Sequence, residues 1–207
     1  MPNNDYDRYN FSFRNTTNFL NNKFILDTSA NYIIQNDKNM VSQGQYFNPL
    51  TSLYLFPRGE DFSDVTVYER YDDLSGVNTQ YWPYGDLGGV SSQNPYWIMN
   101  RMNRENDRRR YKLAASLQYN IIDGLNVQGR VSIDNTESKY TEKFHAGTVG
   151  NFAGSKGRYK EENRLDRQVY ADVLANFNKT FNEFNVTANL GASIKDLRME
   201  LTSLHGD

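Results

Sequence analysis

Apolar and polar residues alternate with period two through most of this chain. From Tyr9 to Phe19, the residues Tyr9, Phe11, Phe13, Thr17 and Phe19 oppose Arg8, Asn10, Ser12, Arg14, Thr16 and Asn18, which predicts a strand with one aromatic and one polar face. Asn21-Asn22 predicts a tight turn, because asparagine tolerates the positive φ of short hairpin loops. A second strand follows, with Phe24, Leu26, Thr28, Ala30, Tyr32 and Ile34 on one face and Lys23, Asp27, Ser29, Asn31 and Gln35 on the other. The pattern returns at Tyr111, Leu113, Ala115, Leu117, Tyr119 and Ile121, turns at Asp123-Gly124, and runs back through Leu125, Val127, Gly129, Val131 and Ile133 towards Phe144. A last pair places Val169, Ala171, Val173, Ala175 and Phe177 before a turn near Asn182-Glu183, then Phe184, Val186, Ala188, Leu190, Ala192 and Ile194. Lys23, Asp27, Arg130, Asp134, Asp172 and Lys195 fall on the polar faces, where cross-strand ion pairs are the expected use.

Six strands are thus joined by short, long, short, long, short connections. The first long loop, about residues 36–107, holds every proline except Pro2 and many aromatic residues; the second spans about 145–163. Loops beyond about 12–15 residues are usually functional or disordered, and the aromatic content of the first argues for a folded one. Its segment Val65 to Tyr71 reads equally as a strand or a helix. The architecture this predicts is all-β: an antiparallel transmembrane β-barrel segment of about six long strands, with short periplasmic turns and long extracellular loops. The alternative is a soluble or secreted β-sandwich module that binds carbohydrate through exposed aromatics. Strands longer than the usual 5–6 residues, aromatic ends to the apolar faces and the segregation of loop lengths favour the barrel.

Composition fits the same picture. Only 38% of residues are hydrophobic and the mean hydropathy is -0.79, lean for a closed core, yet 14% are aromatic. A barrel wall with one apolar and one wet face produces that mixture. No apolar run approaches the roughly 18–20 residues of a membrane helix. The segment Met1 to Asp5 lacks the basic and apolar regions of a signal peptide, so the chain reads either as cytosolic or as an internal piece of a larger exported protein. A net charge of -2 provides no basic field for nucleic acid, and the absence of cysteine removes disulfides, thiolate metal ligands and cysteine nucleophiles.

Candidate chemistry is sparse. His145 and His205 are far apart, and no nucleophile elbow, phosphate loop or dinucleotide fingerprint occurs, so no catalytic residue, metal ligand or cofactor is assigned and the chain reads as a non-enzyme. The basic run Arg101, Arg104, Arg108, Arg109, Arg110 and Lys112 is split between two faces by strand alternation, which suits a membrane rim in contact with lipid phosphate or water better than nucleic acid. The candidate substrate or partner contacts are the loop aromatics Tyr81, Trp82, Tyr84, Tyr96 and Trp97, whose rings can stack on sugars while their polar tips hydrogen-bond. Packing within the loop is the competing use of the same rings.

Several of these segments together carry a resemblance. Arg8-Tyr9-Asn10-Phe11, Asn48-Pro49-Leu50, Asn94-Pro95-Tyr96-Trp97 with Asn100-Arg101, Asp123-Gly124-Leu125 and Gly129 to Asp134 resemble, in order and spacing, the SusC/RagA family of TonB-linked outer-membrane proteins. The resemblance implies a Gram-negative outer-membrane location, a 22-stranded barrel and an N-terminal plug. It also implies import of oligosaccharides or peptides, with energy delivered through TonB and a SusD-like surface lipoprotein as lid. The chain departs from the pattern in lacking the plug and TonB box, and residues 1–207 are read as a partial barrel domain. On this reading Asn94 to Trp97 lies at the cell surface and Asp123-Gly124 turns in the periplasm.

Overall fold

The computed structural model describes residues 3–41, 44, 46–85 and 92–206; Met1 and Pro2 lie outside these. Strands β1 (Asp5–Phe19) and β2 (Phe24–Lys38) form the first hairpin, joined by a turn in which Leu20, Asn21 and Asn22 all take positive φ. The first long loop then contains helix α1 (Pro49–Leu55), a 3-10 turn over Phe62–Thr66, a small hairpin of β3 (Glu69–Asp72) and β4 (Val77–Gln80), and helix α2 (Pro95–Arg101). Strands β5 (Met102–Ile122), β6 (Leu125–Phe144), β7 (Arg158–Phe181) and β8 (Phe184–Gly206) complete the chain.

The six long strands form one antiparallel sheet in the order β1-β2-β5-β6-β7-β8, so each pairs only with its neighbours along the chain. All three tight turns fall at one end of the sheet and both long loops at the other. Gly124 shows why the second turn needs glycine: its φ is +81°, and a Cβ there would lie 2.3 Å from the carbonyl oxygen of Asn178.

Register divides the sheet into two unlike faces. On one, Phe11, Tyr32 and Tyr111 stand in one cross-strand row and Phe24 faces Tyr119 nearer the turns, with Leu26, Ala30, Leu113, Leu117, Val131 and Ala171 between them. The Phe24 and Tyr119 rings stack at 4.5 Å. Among the described residues nothing covers this face: Phe13 is 63% and Leu190 78% exposed. A β-sandwich requires a second sheet against that surface, and among the described residues the only other sheet is the β3–β4 hairpin. The sandwich reading is therefore replaced by a single-layer wall.

The opposite face is hollow and mostly polar, with Leu197, Met199 and Leu201 exposed on it along the edge strand β8. A concavity of about 610 Å³ is lined from five strands by Arg14, Asp27, Lys112, Gln128, Arg130 and Tyr170 among others. Arg14 pairs with Asp27 at 2.8 Å, Arg130 with Asp172 at 2.8 Å, and Arg110 with Asp134. The expected ion pairing of Asp27, Arg130, Asp134 and Asp172 is thus present. Lys23 lies in the first turn and Lys195 stands opposite Tyr170, exposed on β8.

The strands run further than their alternation suggests. β1 starts at Asp5, β2 reaches Lys38, β5 starts at Met102 and β7 at Arg158, so the long loops shorten to 39–101 and 145–157. Backbone pairing persists here although both faces are polar, which removes the apolar signal without removing the ladder hydrogen bonds. A strand of 21 residues such as β5 is roughly 70 Å long at about 3.3 Å per residue, far more than a hydrocarbon core of about 30 Å requires. The apolar band occupies the part nearest the tight turns.

Candidate functional site

The long loop folds as a packed cap on the polar, concave side of the sheet. Its core joins Trp97 and Ile98 of α2 to Met102 of β5, Phe144 of β6 and Ala153 of the second loop, with Phe47, Tyr68 and Phe152 packed around them. Met102 and Phe144 pair with each other and share the face of Arg110 and Asp134, which fixes the side on which the cap lies.

Two Asn-Pro pairs build this cap. Asn48 precedes Pro49 at the start of α1 and its Oδ1 accepts from Leu50 N at 3.0 Å; Asn94 does the same for α2, accepting from Tyr96 N at 2.9 Å. Asparagine is a favoured N-cap and proline a favoured first helical residue, because its missing N–H would be unpaired there anyway. Asn94 does more than cap. It is 1% exposed, and its Nδ2 donates to the carbonyls of Val65 and Tyr81. The Gln93 backbone N–H donates to Ser52 Oγ of α1, and the Gln93 side chain donates to the carbonyl of Tyr46. Two of the motifs behind the sequence resemblance, Asn48-Pro49-Leu50 and Asn94-Pro95-Tyr96-Trp97, are therefore framework positions of the cap, whereas the others lie in β1, β6 and the β5–β6 turn.

The five candidate aromatics are placed in different surroundings. Trp97 is 1% exposed and donates through Nε1 to Thr148 Oγ1 of the second loop at 3.1 Å, so its ring faces the cap interior. Tyr96 is half-buried beside Tyr68, with near-parallel rings 6.5 Å apart. Trp82 and Tyr84 are brought together, 5.0 Å between ring centroids, and Tyr84 also meets Phe56 at 4.9 Å. Trp82 Nε1 donates to Ser92 Oγ at 2.8 Å. Tyr81 carries the guanidinium of Arg70 over its ring at 3.4 Å. Tyr81, Trp82, Tyr84 and Tyr96 thus keep part of their surface open, whereas Trp97 does not.

Other loop groups present more surface than these five. Tyr54 is 83% exposed, Tyr71 65%, and Leu74, at the tip of the β3–β4 hairpin, 99%. A large apolar side chain in the turn Asp72-Asp73-Leu74-Ser75-Gly76 was a visible signal for an exposed contact residue, since such turns normally carry only small or polar groups.

One electrostatic cluster ties the cap to the second loop. Arg101 at the end of α2 forms a fork with Glu69, at 2.8 and 2.9 Å, which holds the Glu69 carboxyl below its usual range mainly through those hydrogen bonds. His145 lies beside the pair, and burial first, then the Arg101 charge, lowers its pKa. A group held low in the fold takes up its proton more readily when the loops open. The His145 contribution is therefore complete above its ordinary value of about 6.5 and is lost as pH falls through the lowered value; Glu69 behaves likewise below about 4.5. The expected result is faster amide exchange in residues 69–101 and 145–157 at pH 5.5 than at pH 7.5, after correction for intrinsic rates. His145→Gln should remove the upper step.

A single-layer antiparallel sheet with one uncovered apolar band, two aromatic tiers and a hollow polar face has the construction of a membrane-barrel wall. No family model and no curated relative matches the chain. Solved structures do. The RagAB peptide importer in its closed-closed state matches with a TM-score of 0.64 at 15% identity, over 98% of this chain and 22% of that one. Its open-open state gives 0.65 at 15% identity, with the same coverage. A further structure of the RagAB peptide transporter gives 0.65 at 15% identity, over 98% and 21%. This likeness shows the fold, and the chain spans about a fifth of the length of the proteins it matches.

Proposed function

We propose that this chain is part of the barrel wall of a TonB-dependent outer-membrane importer of the SusC/RagA kind, carrying large nutrients, oligosaccharides or peptides, with a SusD-like lipoprotein over its mouth. The carrying observation is the uncovered apolar band bounded by Phe11, Tyr32 and Tyr111 at one side and by Phe24 and Tyr119 at the other, backed by an ion-paired hollow face. Water does not tolerate so wide an apolar surface on a monomer, and lipid does. Only about six strands of such a barrel are supplied here, so the plug, the energy coupling and the remaining wall belong to a longer protein.

On this reading the capped concave side faces the translocation path and the open aromatic surfaces of Tyr81, Trp82, Tyr84 and Tyr96 contact substrate or lid, while Trp97 supports them from within. The solved neighbours are described as a peptide importer, which gives peptides the same standing as oligosaccharides. Uptake of fluorescent oligosaccharides and oligopeptides, compared in cells with and without the gene, tests the proposal. Deletion should abolish uptake of one class, and a protonophore should do the same in the parent cells. Unchanged uptake of both classes would refute it.

A further inference from the structure

Several arginines of the hollow face are neutralised across strands, while on the outer face two arginines stand opposed. On the hollow face Arg14, Arg110 and Arg130 each hold an aspartate. On the apolar face the band ends at Val169 of β7 and Ile194 of β8; next on that face come Asp196, which stands opposite Val169 and makes no ion pair among the described residues, and then Arg167 and Arg198, directly opposite each other. Like charges directly opposite on one face are destabilising, since the side chains are only about 5 Å apart at their bases. Arg109 lies on the same face of β5, one step past Tyr111.

Acids are near enough to have neutralised this group, yet they do so only partly. Glu137 is the register partner of Arg109 but accepts from Asn135 instead. Arg198 pairs with Glu200 of its own strand, and among the described residues Arg109 and Arg167 make no ion pair. The cross-strand row reads Tyr32, Tyr111, Asn135, Arg167, Arg198, so the arginine pair continues sideways from the aromatic tier. Barrel strands are tilted by about 35–45°, so height is read from the band edge on each strand: Arg167 lies one same-face step past Val169 and Arg198 two past Ile194, which in a membrane wall is where the phosphates begin.

The geometry points to a lipid-phosphate clamp: Arg167 and Arg198, assisted by Arg109, bind the phosphate of an anionic lipid headgroup on the outer surface of the wall. The clamp rests on the barrel reading above. Guanidinium forks match phosphate oxygens in pairs, and a phosphate between two opposed arginines converts their repulsion into two charge-assisted contacts. The hydrocarbon tails then lie along Val173, Leu190 and Ile194, which the same face leaves uncovered.

The test uses the complete barrel protein in nanodiscs of equimolar phosphatidylcholine and phosphatidylglycerol, followed by native mass spectrometry of retained lipid. The unmodified protein should keep phosphatidylglycerol at least threefold over phosphatidylcholine, and Arg167→Gln with Arg198→Gln should return the ratio to that of the bulk. Lys112→Gln, on the hollow face, should leave it unchanged. An unmodified protein that retains the two lipids equally overturns the clamp while leaving the barrel reading intact, and this arm needs no variant to fold. A protein that does not insert overturns both. Stabilisation by 10 mM inorganic phosphate in detergent, without lipid preference, would assign the site to a free anion and overturn the lipid source.

Discussion

Replacing Trp97 by alanine should release the cap while leaving the long sheet paired. Trp97 is 1% exposed, joins both loops through its bond to Thr148, and packs in the cluster with Ile98, Met102 and Phe144. Truncating a buried tryptophan costs about 3–5 kcal/mol, because both transfer energy and contacts around the void are lost. The sheet does not share this loss, since its ladders run independently of the cap over most of their length. Limited proteolysis should therefore cut Trp97→Ala rapidly within residues 39–101 and 145–157, with the strand-rich circular dichroism retained. Equal resistance in variant and parent would mean that the cap draws its stability from elsewhere, with the Asn94 network the next candidate.

A charge on the apolar face should be as damaging to insertion as the tryptophan change is to the cap. Val131 lies between Ala115 and Ala171 in the middle of the band, whereas Ser132, its neighbour along β6, lies between Ala114 and Tyr170 on the opposite face. Arginine near the midplane on the lipid side of a barrel costs about 2–4 kcal/mol, and lumen positions tolerate it. In the complete barrel, Val131→Arg should lower the folding free energy into liposomes by about that amount, while Ser132→Arg should change it little. Equal effects at the two positions would mean that both faces meet the same solvent.

How far such behaviour could be read from sequence depends on the solvent each segment meets. Where the wall has one apolar face, as from Phe24 to Ile34, Tyr111 to Ile121 and Phe184 to Ile194, the alternation marks strand and face together. Above the band both faces are polar, and Met102–Arg110 and Arg158–Gln168 pair through backbone bonds that leave no trace in side-chain type. The basic run is the clearest example: Arg104, Arg108 and Arg110 belong to the hollow face and Arg109 to the other, with Arg101 drawn into the cap by Glu69.

The cap was legible in its parts and not in its assembly. The Asn-Pro pairs announce helix starts, but the segment Val65 to Tyr71 divides between a 3-10 turn and a strand. The burial of Trp97 depends on Thr148, 51 residues away in the other loop. A tryptophan in a polar loop reads as exposed contact surface until the second loop is brought over it. Tyr54, Tyr71 and Leu74 show the converse, being open where packing was equally conceivable.

The central claim is that the tight turns and the capped loops lie on opposite sides of a membrane crossed by the six strands. The chain contains no cysteine, so a single introduced cysteine is the only thiol within residues 1–207, and the unmodified complete protein serves as the labelling blank. Leu74→Cys, at the exposed hairpin tip, and Asp123→Cys, in the β5–β6 turn, should be compared in intact cells expressing the complete protein, with a maleimide that cannot cross the outer membrane. The account predicts labelling at position 74 from outside and at position 123 only after the envelope is opened. Labelling of position 123 in intact cells, or of both positions alike, would contradict it.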